Sequence, residues 1–177
     1  MKKKEILVNG IVYFVVILIS CFFARIFSNI TVKIADLFVE QTFFSASGIR
    51  AVTLFLYSAF FIALFSYMIG YHTVCFQKSE TLPASLVAVA FHFLLSLVTL
   101  FSPWVAGATK HVGGFIAFGS RYTKAEHMLY IPIITLIIIG VVTALVYAGV
   151  FTMGVYVGTK KRLKDRAELM GEKVDEA

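Results

Sequence analysis

Residues 129–158 read LYIPIITLIIIGVVTALVYAGVFTMGVYVG, thirty positions without one Asp, Glu, Lys or Arg. Sixteen of them are Leu, Ile, Val or Phe. At about −0.3 to −0.6 kcal/mol each on a membrane-insertion scale, these side chains favour insertion by roughly 5–10 kcal/mol in total. A helix rises about 1.5 Å per residue and the hydrocarbon core of a bilayer is about 30 Å thick, so the run crosses a membrane with residues to spare. Pro132 suits the first turn of such a helix, where its missing N–H costs little, and this sets the expected start near Ile131.

Working outward, residues 6–24, 51–71 and 83–104 are also free of charge, with 19, 21 and 22 positions. Each is long enough to cross. The whole chain of 177 residues is 59% hydrophobic and 15% charged, whereas a soluble domain carries roughly 25% charge. Disorder is excluded, and the bilayer is the expected solvent. The fold class is therefore an all-α membrane protein, a four-transmembrane-helix bundle. It forms one transmembrane domain over residues 1–159, followed by a charged tail over residues 160–177.

The charges set the orientation. With both termini inside, the cytoplasmic side holds ten of the sixteen basic residues, among them Lys2, Lys3, Lys4 and Lys78, and the outer side holds six. An excess of Lys and Arg marks the cytoplasmic side, and two basic ends on one side require an even number of crossings. The expected location is the cell membrane, in a multi-pass arrangement; the compact loops suggest a bacterial inner membrane.

Helices in lipid gain little by hiding apolar surface from one another, so small and polar residues at helical spacing mark their packed faces. The first span offers Asn9, Tyr13, Ser20 and Ala24. The second offers Ala59, Ala63, Ser66 and Gly70, and the third Ala84, Ala88, His92, Ser96 and Thr99. The fourth carries Gly140, Ala144, Ala148 and Thr152 at four-residue spacing, then Gly154 and Gly158. This last stripe serves either packing within the bundle or a seam between copies of the chain. Phe55, Phe60 and Phe61 fall away from the stripe of the second span and are expected to face lipid. Trp104, Tyr122 and Tyr130 suit the outer interface, Tyr71 and Tyr156 the inner one.

Residues 29–44 are too polar to span but place Ile30, Ile34, Leu37, Phe38 and Phe44 broadly opposite Lys33, Asp36 and Glu40. They are expected to form an outer amphipathic segment lying on the membrane or capping the bundle. The other outer loop, residues 105–128, contains a glycine-framed apolar run, read as a folded surface loop or a shallow re-entrant element. Past Gly158, the basic residues Lys160, Lys161, Arg162, Lys164 and Arg166 fall within seven positions. Each is worth about 1 kcal/mol near an anionic leaflet, so the expected partners of this cluster are anionic lipid headgroups at the inner face. A basic helical tail is expected there, with four-residue pairs Lys161–Asp165 and Lys164–Glu168. Nucleic-acid binding is not expected, because the positive charge is gathered at the termini.

Catalytic signatures are missing. All ten carboxylates lie outside the four charge-free runs, which disfavours proton-coupled transport and intramembrane aspartyl chemistry. His92 is the one ionisable residue deep in a span, and it serves either as a functional group or as interhelical packing. His72 and Cys75 on the inner side, and His111, Glu126 and His127 on the outer, are too few to close a metal site. No metal or cofactor is expected. Cys21, at the outer end of the first span, and Cys75 lie on opposite sides and cannot pair. Leu18-Ile19-Ser20-Cys21 also matches a lipoprotein cleavage box, although Phe22-Phe23-Ala24 continues the apolar run past it.

The expected function is that of a small integral membrane protein, a non-enzymatic subunit or accessory factor with a membrane-protein partner or further copies of itself. The alternative is an oligomeric channel or facilitative transporter with a polar path formed by Asn9, Tyr13, Ser66, His92, Ser96 and Thr99.

Overall fold

The structure, a computed structural model, describes residues 2–38, 43–72, 78–101 and 133–170. Among the described residues every element is a helix: α1 (Lys2–Phe38), α2 (Phe43–His72), α3 (Lys78–Phe101) and α4 (Ile133–Met170). All four are long and apolar enough to cross a membrane. The outer-loop readings at Trp104, His111, Tyr122, Glu126, His127 and Tyr130, the inner Cys75, and Pro132 lie outside the described residues.

Two boundaries differ from expectation. Residues 29–38 are not a separate surface element, because α1 continues through them without a break. No Gly or Pro interrupts the chain between Ala24 and Phe38, and polarity alone does not end a helix. The 37 residues of α1 span about 55 Å, well over the thickness of a hydrocarbon core. The third helix begins at Lys78 rather than at Pro83. Proline five residues past that start removes only a bond to the first turn, so the helix tolerates it.

Paired residues give the arrangement. Contacts join α1 to α2 and α3, and α4 to α2 and α3, so the helices form a ring in the order α1, α2, α4, α3. Gly10 meets Ala84 and Val87 while Cys21 meets His92, so α1 and α3 run parallel. Gly154 meets Ala63 and Ser66 while Gly158 meets Tyr67 and Tyr71, so α2 and α4 also run parallel. Phe23 packs on Phe61 and Phe65, and Phe27 on Tyr57 and Phe61, which sets α1 and α2 antiparallel. The four helices therefore alternate in direction, up-down-up-down.

The interior combines an apolar core, which includes Tyr13, Ile17, Ile62, Phe151 and Val155, with a set of buried polar side chains. Its buried positions include Ser20, Ser28, Ser58, Ser66, Thr81, Ser85, His92, Ser96 and Thr143, while Leu, Ile, Val and Phe side chains cover the outside. In water that exterior would be an aggregation surface; in lipid it is matched to its solvent. Interior hydroxyls join helices, as Ser28 Oγ and Thr53 Oγ1 do at 2.7 Å, Thr31 Oγ1 and Tyr57 OH at 2.9 Å, and Ser85 Oγ and Thr152 Oγ1 at 2.9 Å.

The tightest crossing is between the C-terminal half of α2 and the part of α4 around Val155 and Gly158. A Cβ added at Gly70 would collide with the Val155 carbonyl, and one at Gly158 with the Tyr67 carbonyl. Gly149 has open space where its Cβ would stand. Near the other end the two helices diverge, leaving an apolar groove of about 460 Å³ between Ala51, Val52, Phe55 and Leu56 on α2 and Ile138, Ile139, Val142 and Thr143 on α4. Phe60 faces outward as expected, but Phe55 and Phe61 are half-buried, Phe55 stacking on Tyr147 at 6.1 Å and Phe61 on Phe65 at 6.1 Å.

Candidate functional site

Four helices bring one polar side chain each to a common level. Cys21 comes from α1, Ser58 from α2, His92 from α3 and Tyr147 from α4, all buried. Local spacing explains why these positions face inward: Tyr13, Ile17, Cys21, Ala24, Ser28 and Val32 follow the buried stripe of α1, and Leu54, Ser58, Ile62, Ser66 and Gly70 recur every four residues on α2. Cys21 Sγ and His92 Nε2 are 3.6 Å apart, and the tautomer of the imidazole decides which of them donates. The His92 and Tyr147 rings lie 6.4 Å apart at a tilt of 50°. Ser58 sits beside both the Cys21 thiol and the Tyr147 hydroxyl, yet no hydrogen bond of good geometry forms at Ser58 Oγ or at Tyr147 OH.

A cavity of about 10 Å³ adjoins the cluster, lined by His92, Phe93, Ser96, Gly140, Thr143, Ala144 and Tyr147. That is about the volume of one water. Thr143 lines both this cavity and the α2–α4 groove.

Among the residues expected to form a polar path, Tyr13, Ser66, His92 and Ser96 are buried and Asn9 is half-buried. The Thr99 side chain lies outside the described residues. Tyr13 packs its ring 4.3 Å from Phe151, and Ser66 Oγ donates to the Ala63 carbonyl within its own helix at 3.0 Å. Of the α4 stripe, Gly140, Ala148 and Gly158 are buried, while Ala144 and Gly154 are half-buried.

Cys21, expected toward the outer end of its span, is inside the bundle beside His92. Sequence reasoning separated these two because the register between α1 and α3 is needed to bring them together. The four-residue recurrence through Cys21 was the available signal.

On the polar extension of α4, beyond Gly158, Lys161 Nζ meets Asp165 Oδ1 at 2.8 Å and Lys164 Nζ meets Glu168 Oε1 at 3.9 Å. Tyr71 OH donates to Asp165 Oδ2 at 2.9 Å, tying the ends of α2 and α4 together. The hydrogen bonds from Lys161 and then Tyr71 hold the Asp165 carboxyl below the usual carboxylate range. Lys160, Lys161, Lys164 and Arg166 are exposed on this extension, and Arg162 is half-buried. Among the described residues no three His, Cys, Asp or Glu side chains converge on one point.

Fold and interior together define a multi-pass helical membrane protein. No protein-family model, curated protein or solved structure matches the chain.

Proposed function

We propose that this chain is a non-enzymatic subunit or accessory factor of a complex in the cell membrane, with both termini in the cytoplasm. The observation that carries the reading is the continuity of α4. It runs from the bundle into an exposed charged extension that ends at Met170, projecting about 18 Å past Gly158 at 1.5 Å per residue. The extension carries Leu163, 58% exposed, and Leu169, 88% exposed. Its ion pairs and the Tyr71–Asp165 bond hold it in line with the bundle. A rigid helix with uncovered leucines and five nearby cations suits a cytoplasmic protein surface and anionic headgroups together.

The packing of the interior favours the same reading over transport within one chain. Of the residues that a path would need, Tyr13, Ser66 and His92 make contacts between or within helices, and the space beside His92 is about 10 Å³.

Isolation of the native protein in mild detergent tests the proposal. The full chain is expected to retain a partner, or further copies, that a chain ending at Thr159 loses. A lone monomer from native membranes would contradict it.

A further inference from the structure

The groove between α2 and α4 ends beside a cation. We propose that it seats one acyl chain of a phospholipid whose phosphate is bound by Arg50.

The surroundings of the groove decide what can enter it. Val52, Leu56, Ile138 and Val142 line it and are each more than half exposed, so it opens on the lipid-facing side of the bundle. Helices in membranes seat on small side chains, and of the eight lining residues only Ala51 and Thr143 are small. Size points the same way. Two turns of helix, about 10 Å across and about 11 Å long, occupy about 850 Å³, whereas the groove holds about 460 Å³. A thinner and more flexible chain fits it. Lipid tails are as apolar as leucine, so an acyl chain gains little by leaving bulk lipid for an aliphatic wall. Selection therefore falls to the polar end of the molecule.

Arg50 supplies the group that selects. It directly precedes Ala51, the first lining residue of α2, and stands at the end of the stretch Ile49–His72 that is apolar enough to cross. That is the level of lipid headgroups. Thr159 meets Gly70 and Gly154 meets Ser66; the same register, carried back along the two parallel helices, brings Ile138 and Ile139 level with Arg50. The cation and the head of the groove coincide in depth. Arg50 is half-buried, and its Nε is enclosed without a hydrogen-bonding partner. Among the described residues no carboxylate pairs with it. A guanidinium keeps its charge in proteins, and a charge left unpaired beside hydrocarbon is costly. Phosphate oxygens match its planar fork with two parallel hydrogen bonds. The site lies at the opposite end of the bundle from the basic extension of α4 and is separate from any headgroup contact made there.

Native mass spectrometry of the full chain, stripped of lipid by detergent exchange, tests this with two probes that carry the same chains. Dioleoyl phosphatidylcholine has a phosphate but no net charge, so the basic extension does not favour it; dioleoylglycerol has no phosphate. Wild type is expected to keep one phosphatidylcholine per chain and at least about tenfold less dioleoylglycerol. Arg50→Gln should bring the phospholipid down to that lower level, Arg50→Lys should restore part of it, and Val142→Trp, which fills the groove, should remove it. Leu145→Trp puts the same bulk on a 60% exposed position outside the groove and should leave retention unchanged, which separates a filled groove from a damaged bundle. A benzoylphenylalanine at position 142, irradiated in membranes, should label lipid. The proposal is overturned if folded wild type keeps no phospholipid, if it keeps both probes equally, or if Arg50→Gln retains as much as wild type. A photo-crosslink from position 142 to a second copy, or to residues 102–132 of the same chain, would overturn it by giving the groove to that occupant.

Discussion

Replacing Gly158 by alanine places a methyl group where α2 leaves no room. The new Cβ would overlap the Tyr67 carbonyl oxygen and stand 2.9 Å from the Tyr71 nitrogen. Both are backbone atoms, so no side chain can swing aside and α4 itself must move. Overpacking of this kind costs about 1–3 kcal/mol. The same movement strains the Thr159 Oγ1 hydrogen bond to the Gly70 carbonyl at 3.2 Å and the Tyr71–Asp165 bond at 2.9 Å. Interhelical bonds in membranes contribute about 0.6 kcal/mol each. Against this stands a helix-propensity gain of up to about 1 kcal/mol for Gly→Ala. The net expectation is a loss of about 1–3 kcal/mol. Gly149→Ala is the control, because its Cβ meets nothing within 4 Å; it keeps the propensity gain without the collision and should be neutral or mildly stabilising. Reversible unfolding in mixed micelles with increasing SDS measures both. Combining Gly158→Ala with Gly70→Ala should cost less than the sum of the two, since separating the helices once relieves both clashes. If Gly158→Ala and Gly149→Ala behave alike, the close crossing of α2 and α4 is wrong.

Phe151→Ala empties space against Tyr13 in the centre of the bundle. With a cavity of roughly 100 Å³ and about 24 cal/mol per Å³, the same unfolding assay should register a loss of about 2 kcal/mol. Because the Asp165 carboxyl is held below its ordinary range by Lys161 and Tyr71, its contribution is complete above the unfolded carboxylate value and fades as pH falls through the folded one. Acid unfolding of wild type should show this decline, and Asp165→Asn should flatten it. Replacing Lys160, Lys161, Arg162, Lys164 and Arg166 by glutamine should abolish any preference of the reconstituted protein for anionic over neutral lipid, read by lipid retention during purification; unchanged retention would count against headgroup contact. Ion and small-solute flux in liposomes should be the same with wild type and His92→Ala, whereas a flux that depends on His92 would favour a polar path.

The spanning helices were legible because lipid imposes a coarse rule, the absence of charge over about twenty residues, and residues 129–158 satisfy it without ambiguity. Their ends were less so. Arg25, Lys33 and Asp36 signal an exit from apolar surroundings, but a helix ends for lack of hydrogen bonding or because of a breaker, and α1 meets neither before Phe38. Pro83 reads as a boundary from sequence yet sits inside α3. Packing faces were legible to within one position: on α2 the expected Ala59 and Ala63 are half-buried while Ser58 and Ile62 are fully inside. A rotation of about 100° per residue turns that one-position error into the difference between lining the core and flanking it. Gly149, Gly154 and Gly158 look equivalent in sequence, but only the last two meet α2. The neighbourhood of Cys21 and His92 depends on how far α1 slides along α3, which no pattern within either helix encodes.

The central claim is a four-crossing bundle with both ends on the cytoplasmic side, and reporter fusions at the two termini test it most directly. A fluorescent protein that folds only inside should be bright at both the N- and C-terminus, and a phosphatase that works only outside should be inactive at both. Opposite results at the two ends would mean an odd number of crossings and would contradict the account.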